Sequence, residues 1–226
     1  MKVTRFTSFD SLSVAAAALL MRHLQEESNK PVGIMLSGGK TPIAAYRTVQ
    51  RAGIRASDSV YIVFSDERMT AADSRESNFG NASGMIASLK IPEQRVLRVH
   101  TELKLDAAAE QYDRDLAGFF KRGGRIPLGL LGLGADGHTA SMFTMEDVQA
   151  PGHKGELKYA RAVHRFNGYD RVTVTSHVLA RIERAVFLVS GPEKQAVVAR
   201  LLQSPETLPA GAAVSKTPHV ELWMAV

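Results

Sequence analysis

The stretch Val32-Gly33-Ile34-Met35-Leu36-Ser37-Gly38-Gly39-Lys40-Thr41-Pro42-Ile43 decides the fold class. Residues 32–36 form an unbroken apolar run, short for a buried helix and of the right length for a strand covered on both faces. Two glycines then let the chain turn tightly and approach a ligand closely. Thr41 is a natural N-cap and Pro42 a natural first helical residue, so a helix over 42–52 is expected. Strand, Gly-Gly and helix start together present free backbone N–H groups and the positive end of a helix dipole, which suits an anion. The plainer alternative is a tight strand–helix turn. A nucleotide P-loop does not fit, because that spacing requires glycine where Ile34 stands.

Working outward, similar β-rich runs occur at 60–64, 96–99, 128–131, 172–175, 185–189 and 220–224. Helix-like runs at 11–27, 78–89, 106–120 and 193–202 are interleaved with them. Such alternation predicts an α/β fold, a three-layer α/β/α sandwich around a mostly parallel, Rossmann-like sheet, in a single domain over 1–226. Ligands of these sheets bind outside the carboxyl ends of the strands. The Ala-rich run 14–21 reads as part of an amphipathic first helix capped near Asp10 or Ser11, not as a signal peptide. No run approaches the length of a membrane span, and a cytoplasmic location is the expectation. Residues 144–159 are irregular, a surface loop or a lid, and 204–216 form a second irregular stretch.

Composition narrows the partners. Hydrophobic residues at 45% and charged residues at 23% exclude a disordered or fibrous chain. Cysteine is absent, which removes disulfide scaffolds, thiol nucleophiles and Cys-ligated metals. Lys and Arg number 28 against 23 Asp and Glu, and the resulting charge of +5 favours an anionic partner. The basic residues are scattered, the densest group (Lys121, Arg122, Arg125) falls at an expected helix end, and there is one Trp. Nothing resembles a ribbon for stacking bases, so a small anion is expected rather than nucleic acid. No cofactor or metal site is expected, and a monomer and a homodimer both remain open.

Three further loops carry candidate chemistry. Ser65-Asp66-Glu67-Arg68 follows the strand at 60–64, with Ser77-Asn78 downstream. Two acids and an arginine there can bind sugar hydroxyls or polarise a carbonyl, or form a solvated turn with a local ion pair. Leu131-Gly132-Leu133-Gly134-Ala135-Asp136-Gly137-His138-Thr139-Ala140-Ser141 formally satisfies a dinucleotide fingerprint. Asp136 inside it would repel a pyrophosphate, and no strand-ending acid stands roughly twenty residues on. The glycines are better read as holding Asp136 and His138 at the mouth of the sheet. Histidine is the side chain best suited to moving protons near neutrality, and Asp136 can orient it. Ser141 reads as a helix-start residue rather than as a nucleophile. Arg171 at a strand start and Lys194 opening a helix are surface cations when taken alone. With the Gly38-Gly39 loop they could clamp one phosphate.

These motifs together resemble the 6-phosphogluconolactonase family: SGGKTP at 37–42, DER at 66–68 with SN at 77–78, and LGLGADGHTAS at 131–141. RVTVT at 171–175, SGPEKQ at 190–195 and LPA at 208–210 also fit. The related glucosamine-6-phosphate deaminases share SGG-T-P and D-G-H. They carry a Glu five positions beyond the His, where this chain has Phe143, and Asp-Glu-Tyr where this chain has Asp66-Glu67-Arg68. Two departures from the lactonase pattern stand out: Thr144 replaces a usual proline, and Trp223 is followed only by Met224-Ala225-Val226.

The resemblance implies a glucosamine-6-phosphate deaminase-like fold and hydrolysis of 6-phospho-D-glucono-1,5-lactone in the oxidative pentose phosphate pathway. It implies His138 as general base, with Arg68 or a loop N–H at the oxyanion and Asp66 and Asp136 on sugar hydroxyls or on His138. It implies a phosphate held by Ser37, Gly38, Gly39, Lys40, Thr41, Arg171 and Lys194. A deaminase/isomerase and a non-catalytic sugar-phosphate sensor are the alternatives.

Overall fold

In the computed structural model, which describes residues 1–149 and 158–225, seven parallel strands form the central sheet. In chain order the elements are β1 (Lys2–Phe6), α1 (Phe9–Leu24), β2 (Val32–Leu36), α2 (Lys40–Arg51), β3 (Val60–Phe64), β4 (Asp66–Arg68) and α3 (Asn78–Ser88). Then come β5 (Val96–Leu97), α4 (Leu105–Lys121), β6 (Arg125–Leu131), α5 (Met145–Gln149), β7 (Ala160–Phe166) and β8 (Tyr169–Val174). The chain closes with α6 (Ser176–Leu179), β9 (Arg184–Ser190), α7 (Gln195–Gln203), α8 (Pro209–Ala213) and β10 (His219–Ala225).

The strand order is β1-β10-β9-β6-β2-β3-β5. From β2 the chain builds to one side through β3 and β5, then returns to the other side of β2 for β6, β9 and β10. The direction of building reverses between β2 and β6, and at such a reversal open α/β sheets bind ligands in the crevice outside the strands' carboxyl ends. The loops after these two strands face each other. A Cβ placed on Gly132 would lie 3.8 Å from the Gly38 carbonyl oxygen.

Period-two alternation assigns each strand's side chains to two cores. Ile34, Leu36, Ile62, Phe64, Leu128 and Leu130 pack with α1, α2 and α3. Met35, Val63, Leu131, Phe187 and Leu222 face the other way, toward α4 and α7. Both sides of the sheet are thereby covered, which is why its strands read as continuous apolar runs and why the fold is a three-layer α/β/α sandwich.

Several expectations are corrected. The run at 172–175 belongs to β8, which lies outside the parallel sheet and forms a separate antiparallel sheet of order β4-β8-β7. β4 is three charged residues, β7 mixes basic with apolar residues, and β1 is a short edge strand, so none showed an apolar run. The cap of α1 is Ser8, in a reciprocal capping box with Ser11, ahead of the Asp10 or Ser11 expected. Gly39, at φ +112°, caps α2, so Thr41 and Pro42 fall within its first turn. Glycine takes that left-handed backbone without a Cβ penalty, which leaves the Thr41 hydroxyl for another partner. Of the irregular stretch 144–159, residues 145–149 form α5, and 150–157 lie outside the described residues.

Candidate active site

The loop after β6 is built around one pair. His138 donates from Nδ1 to Asp136 Oδ1 at 2.5 Å. The carboxylate can only accept, so this bond puts an imidazole proton on Nδ1, and in the neutral ring Nε2 then carries the lone pair. Burial works against a charged Asp136, but the hydrogen bonds from His138 outweigh it and hold the carboxyl below its ordinary value. Gly134 makes the pair possible: a Cβ there would collide with His138 Nδ1 and Asp136 Oδ1. Its N–H also donates to the His138 carbonyl at 2.8 Å, closing the turn. Thr139 Oγ1 donates to the Gly132 carbonyl at 2.9 Å and fixes the loop's far limb. Ala140 sits at φ +49°, a left-handed conformation unusual for a residue with a Cβ.

The loop after β3 supplies two buried carboxylates with different jobs. Asp66 Oδ2 accepts from Ser141 Oγ at 2.7 Å, and Oδ1 accepts from Ser65 Oγ at 2.9 Å. Arg171 stands 4.0 Å from Oδ2. Glu67 accepts from the backbone N–H groups of Arg68, Asn78 and Phe79 at 2.7–2.8 Å and from Ser77 Oγ at 3.1 Å, anchoring the start of α3. Burial nevertheless pushes the Glu67 carboxyl up, against the pull of those N–H donors. Asn78 donates to the Asp66 carbonyl at 2.8 Å, and a Cβ on Gly38 would strike its Oδ1, so the β2 loop is packed directly on this corner.

Arg68 and Arg171 are cross-strand partners in the β4–β8 ladder. Like charges opposite one another are unfavourable without an anion between them. Arg68 pairs with Glu76 at 3.1 Å, while burial pushes the Arg171 guanidinium below its ordinary value, Asp66 opposing this. Among the described residues, the Nε atoms of both arginines and the Ser37 hydroxyl are buried without a partner. On the other flank, Lys194 donates from Nζ to the Leu133 carbonyl at 2.8 Å. Thr41 Oγ1 meets Ser190 Oγ at 2.9 Å, and Lys40 is exposed at the first position of α2.

The expected site residues therefore lie on the loops after the central strands, in β4 and β8, and at the starts of α2 (Lys40, Thr41) and α7 (Lys194). Arg171 and Lys194 flank the crevice from the β8 and β9 sides rather than sharing a contact. Arg171 is the third residue of β8, and Lys194 ends a 3-10 turn that leads into α7. Ser141 is not a helix start: fully buried, it spends its hydroxyl on Asp66. Sequence reasoning missed Glu67 as the anchor of α3 and Phe143, whose ring lies 4.6 Å from that of His138. The spacing of Glu67 to Ser77-Asn78 was a visible signal for the first; nothing local signalled the second. Among the described residues there is no group of three or more potential metal ligands, and no helix long and apolar enough to cross a membrane.

The sequence profile of the glucosamine-6-phosphate isomerases and 6-phosphogluconolactonases matches residues 7–223, and the chain belongs to that family. Within that family it is an enzyme of the 6-phosphogluconolactonase branch. It is 33% identical to the 6-phosphogluconolactonase of Thermotoga maritima over 77% of this chain and 76% of that protein. It is 30% identical to that of Rattus norvegicus over 95% of this chain and 87% of the relative. The crystal structure of the T. maritima protein superposes with a TM-score of 0.81 at 26% identity, covering 99% of this chain and 98% of the other.

Proposed function

We propose that this chain hydrolyses 6-phospho-D-glucono-1,5-lactone to 6-phospho-D-gluconate, with His138 as the general base. The observation that carries the reading is the bond from His138 Nδ1 to Asp136, which leaves Nε2 of the neutral ring as a proton acceptor on the loop that follows β6. A water gives its proton to Nε2 while its oxygen attacks the lactone carbonyl carbon, and the carbonyl electron pair moves onto oxygen. Collapse of this tetrahedral species breaks the bond between that carbon and the ring oxygen. His138 then returns the proton to the ring oxygen, which becomes a hydroxyl. One water is added and nothing is oxidised or reduced.

Arg68 and the N–H groups of the glycine-rich loops would hold the developing oxyanion, a contact worth more in the transition state than in the ground state. The phosphate would lie against the start of α2 (Ser37, Gly38, Gly39, Lys40, Thr41), with Arg171 and Lys194 closing on it from two sides. The unpaired Ser37 hydroxyl and arginine Nε atoms support an anion there. Asp66 is buried and accepts from Ser65 and Ser141, so it would hold the loops in place, with its remaining lone pairs open to a sugar hydroxyl. The test is to identify the product and compare kinetics. Lys194→Ala and Arg171→Ala should mainly raise KM, and a KM unchanged in both removes the clamp.

A further inference from the structure

Phe143 stands just beyond the buried Ser141-Met142 pair and has no polar group of its own to contribute. Its ring nonetheless touches two groups central to the reading above. The His138 ring centroid is 4.6 Å away at an interplanar angle of 53°, and the Arg171 guanidinium carbon lies 5.4 Å from the Phe143 centroid. His138 comes from the loop after β6 and Arg171 from β8, and neither bonds the other; the phenyl ring is the surface they share.

The ring is itself held from behind. The Phe143 and Thr144 N–H groups both donate to Asp147 Oδ2 at 2.9 Å, and Arg161 of β7 donates to Asp147 Oδ1 at 2.7 Å. The backbone of Phe143 is thus tied through one carboxylate to the same antiparallel sheet that carries Arg171.

Each contact constrains one degree of freedom. Asp136 holds His138 by one edge, through Nδ1 and the backbone N–H, and leaves the ring free to tilt; a ring packed against the imidazole limits that tilt and aims Nε2. Among the described residues the buried Arg171 has an unpartnered Nε and a long ion pair, 4.0 Å, to Asp66, so the Phe143 ring is a platform for its planar guanidinium.

We propose that Phe143 is a positioning residue that sets the aim of the base and the seat of the anion-binding arginine together. This rests on the reading of His138 and Arg171 given above. Removing the ring should then damage both parameters at once, unlike loss of the base (kcat) or of the arginine (KM) alone.

The experiment compares Phe143→Leu, which keeps apolar bulk, with Phe143→Tyr, which keeps the ring. Lactone turnover and calorimetric binding of 6-phosphogluconate are read on each, with thermal unfolding as a fold control. For Phe143→Leu we expect kcat down about 10-fold or more. We expect KM and the 6-phosphogluconate Kd up about 5- to 30-fold. Phe143→Tyr recovers most of both. A folded Phe143→Leu protein with kcat and Kd within about twofold of the parent overturns the proposal, and so does a loss that Tyr fails to recover. Where Leu does not fold, Phe143→Tyr is compared with Phe143→Met, and equal losses in the two overturn it. An unsubstituted protein that binds 6-phosphogluconate without lactone turnover defeats the hydrolase reading instead; the binding arm then still decides whether the ring seats Arg171.

Discussion

Ser141 Oγ donates to Asp66 Oδ2 at 2.7 Å, across 75 residues of chain. The two residues belong to the loops after β6 and β3, which flank β2 in the sheet. This one bond therefore spans the crevice floor and ties the loop bearing His138 to the corner bearing Arg68 and Arg171. Both partners are buried, so neither can turn to water if the other is lost.

Ser141→Ala should consequently destabilise the protein by about 1–3 kcal/mol, because Asp66 keeps a buried oxygen without its donor. Turnover should fall with it as the loop loosens. Urea unfolding and steady-state kinetics check this, and a variant equal to the parent in both would show that the bond does not organise the site.

Gly134 is required by the pair it shelters. Gly134→Ala should leave the overall fold intact by circular dichroism and lower kcat by roughly 100-fold, the scale of an ångström's misplacement of a reacting group. Unchanged kcat would mean that His138 and Asp136 work in another arrangement.

Ala140 holds φ +49° beside the base. An L-residue there costs about 1–2 kcal/mol relative to ordinary backbone, and glycine removes that cost while giving some back as unfolded-chain entropy. Ala140→Gly should raise Tm by roughly 2 °C in calorimetry. A lower Tm would mean that the Ala140 side chain earns its place by packing.

Asp147 provides a pH signature. Burial alone would raise its carboxyl, but the bond from Arg161, with the Thr144 and Phe143 N–H groups, holds it below the ordinary value. A depressed folded value means that its stabilisation is complete above the unfolded value of about 3.9 and is lost as pH falls through the lower folded one. The stability difference between the parent and Asp147→Asn should be constant near neutrality and shrink below about pH 4. A difference that grows on acidification would reverse the assignment.

Much of the architecture could be read before any coordinates. A strand covered on both faces is apolar at every position, so β2, β3, β6 and β9 declared themselves, and the Gly-rich turns marked where β2 and β6 end. β4 and β7 could not be read, because their charged residues make sense only when the two strands are seen to pair through β8. The site divides in the same way. Asp136 and His138 are two residues apart and their pairing is local. Ser141 to Asp66, and Phe143 to Arg171, depend on contacts made by folding.

The central claim is that His138 takes the proton from the attacking water, and the direct test is the hydrolysis of freshly made 6-phosphogluconolactone by the purified protein and by His138→Ala, against spontaneous opening. The account predicts a parent rate far above background, and a kcat about 10²–10⁴-fold lower in the variant with KM nearly unchanged. A variant whose kcat stays within about threefold of the parent contradicts it.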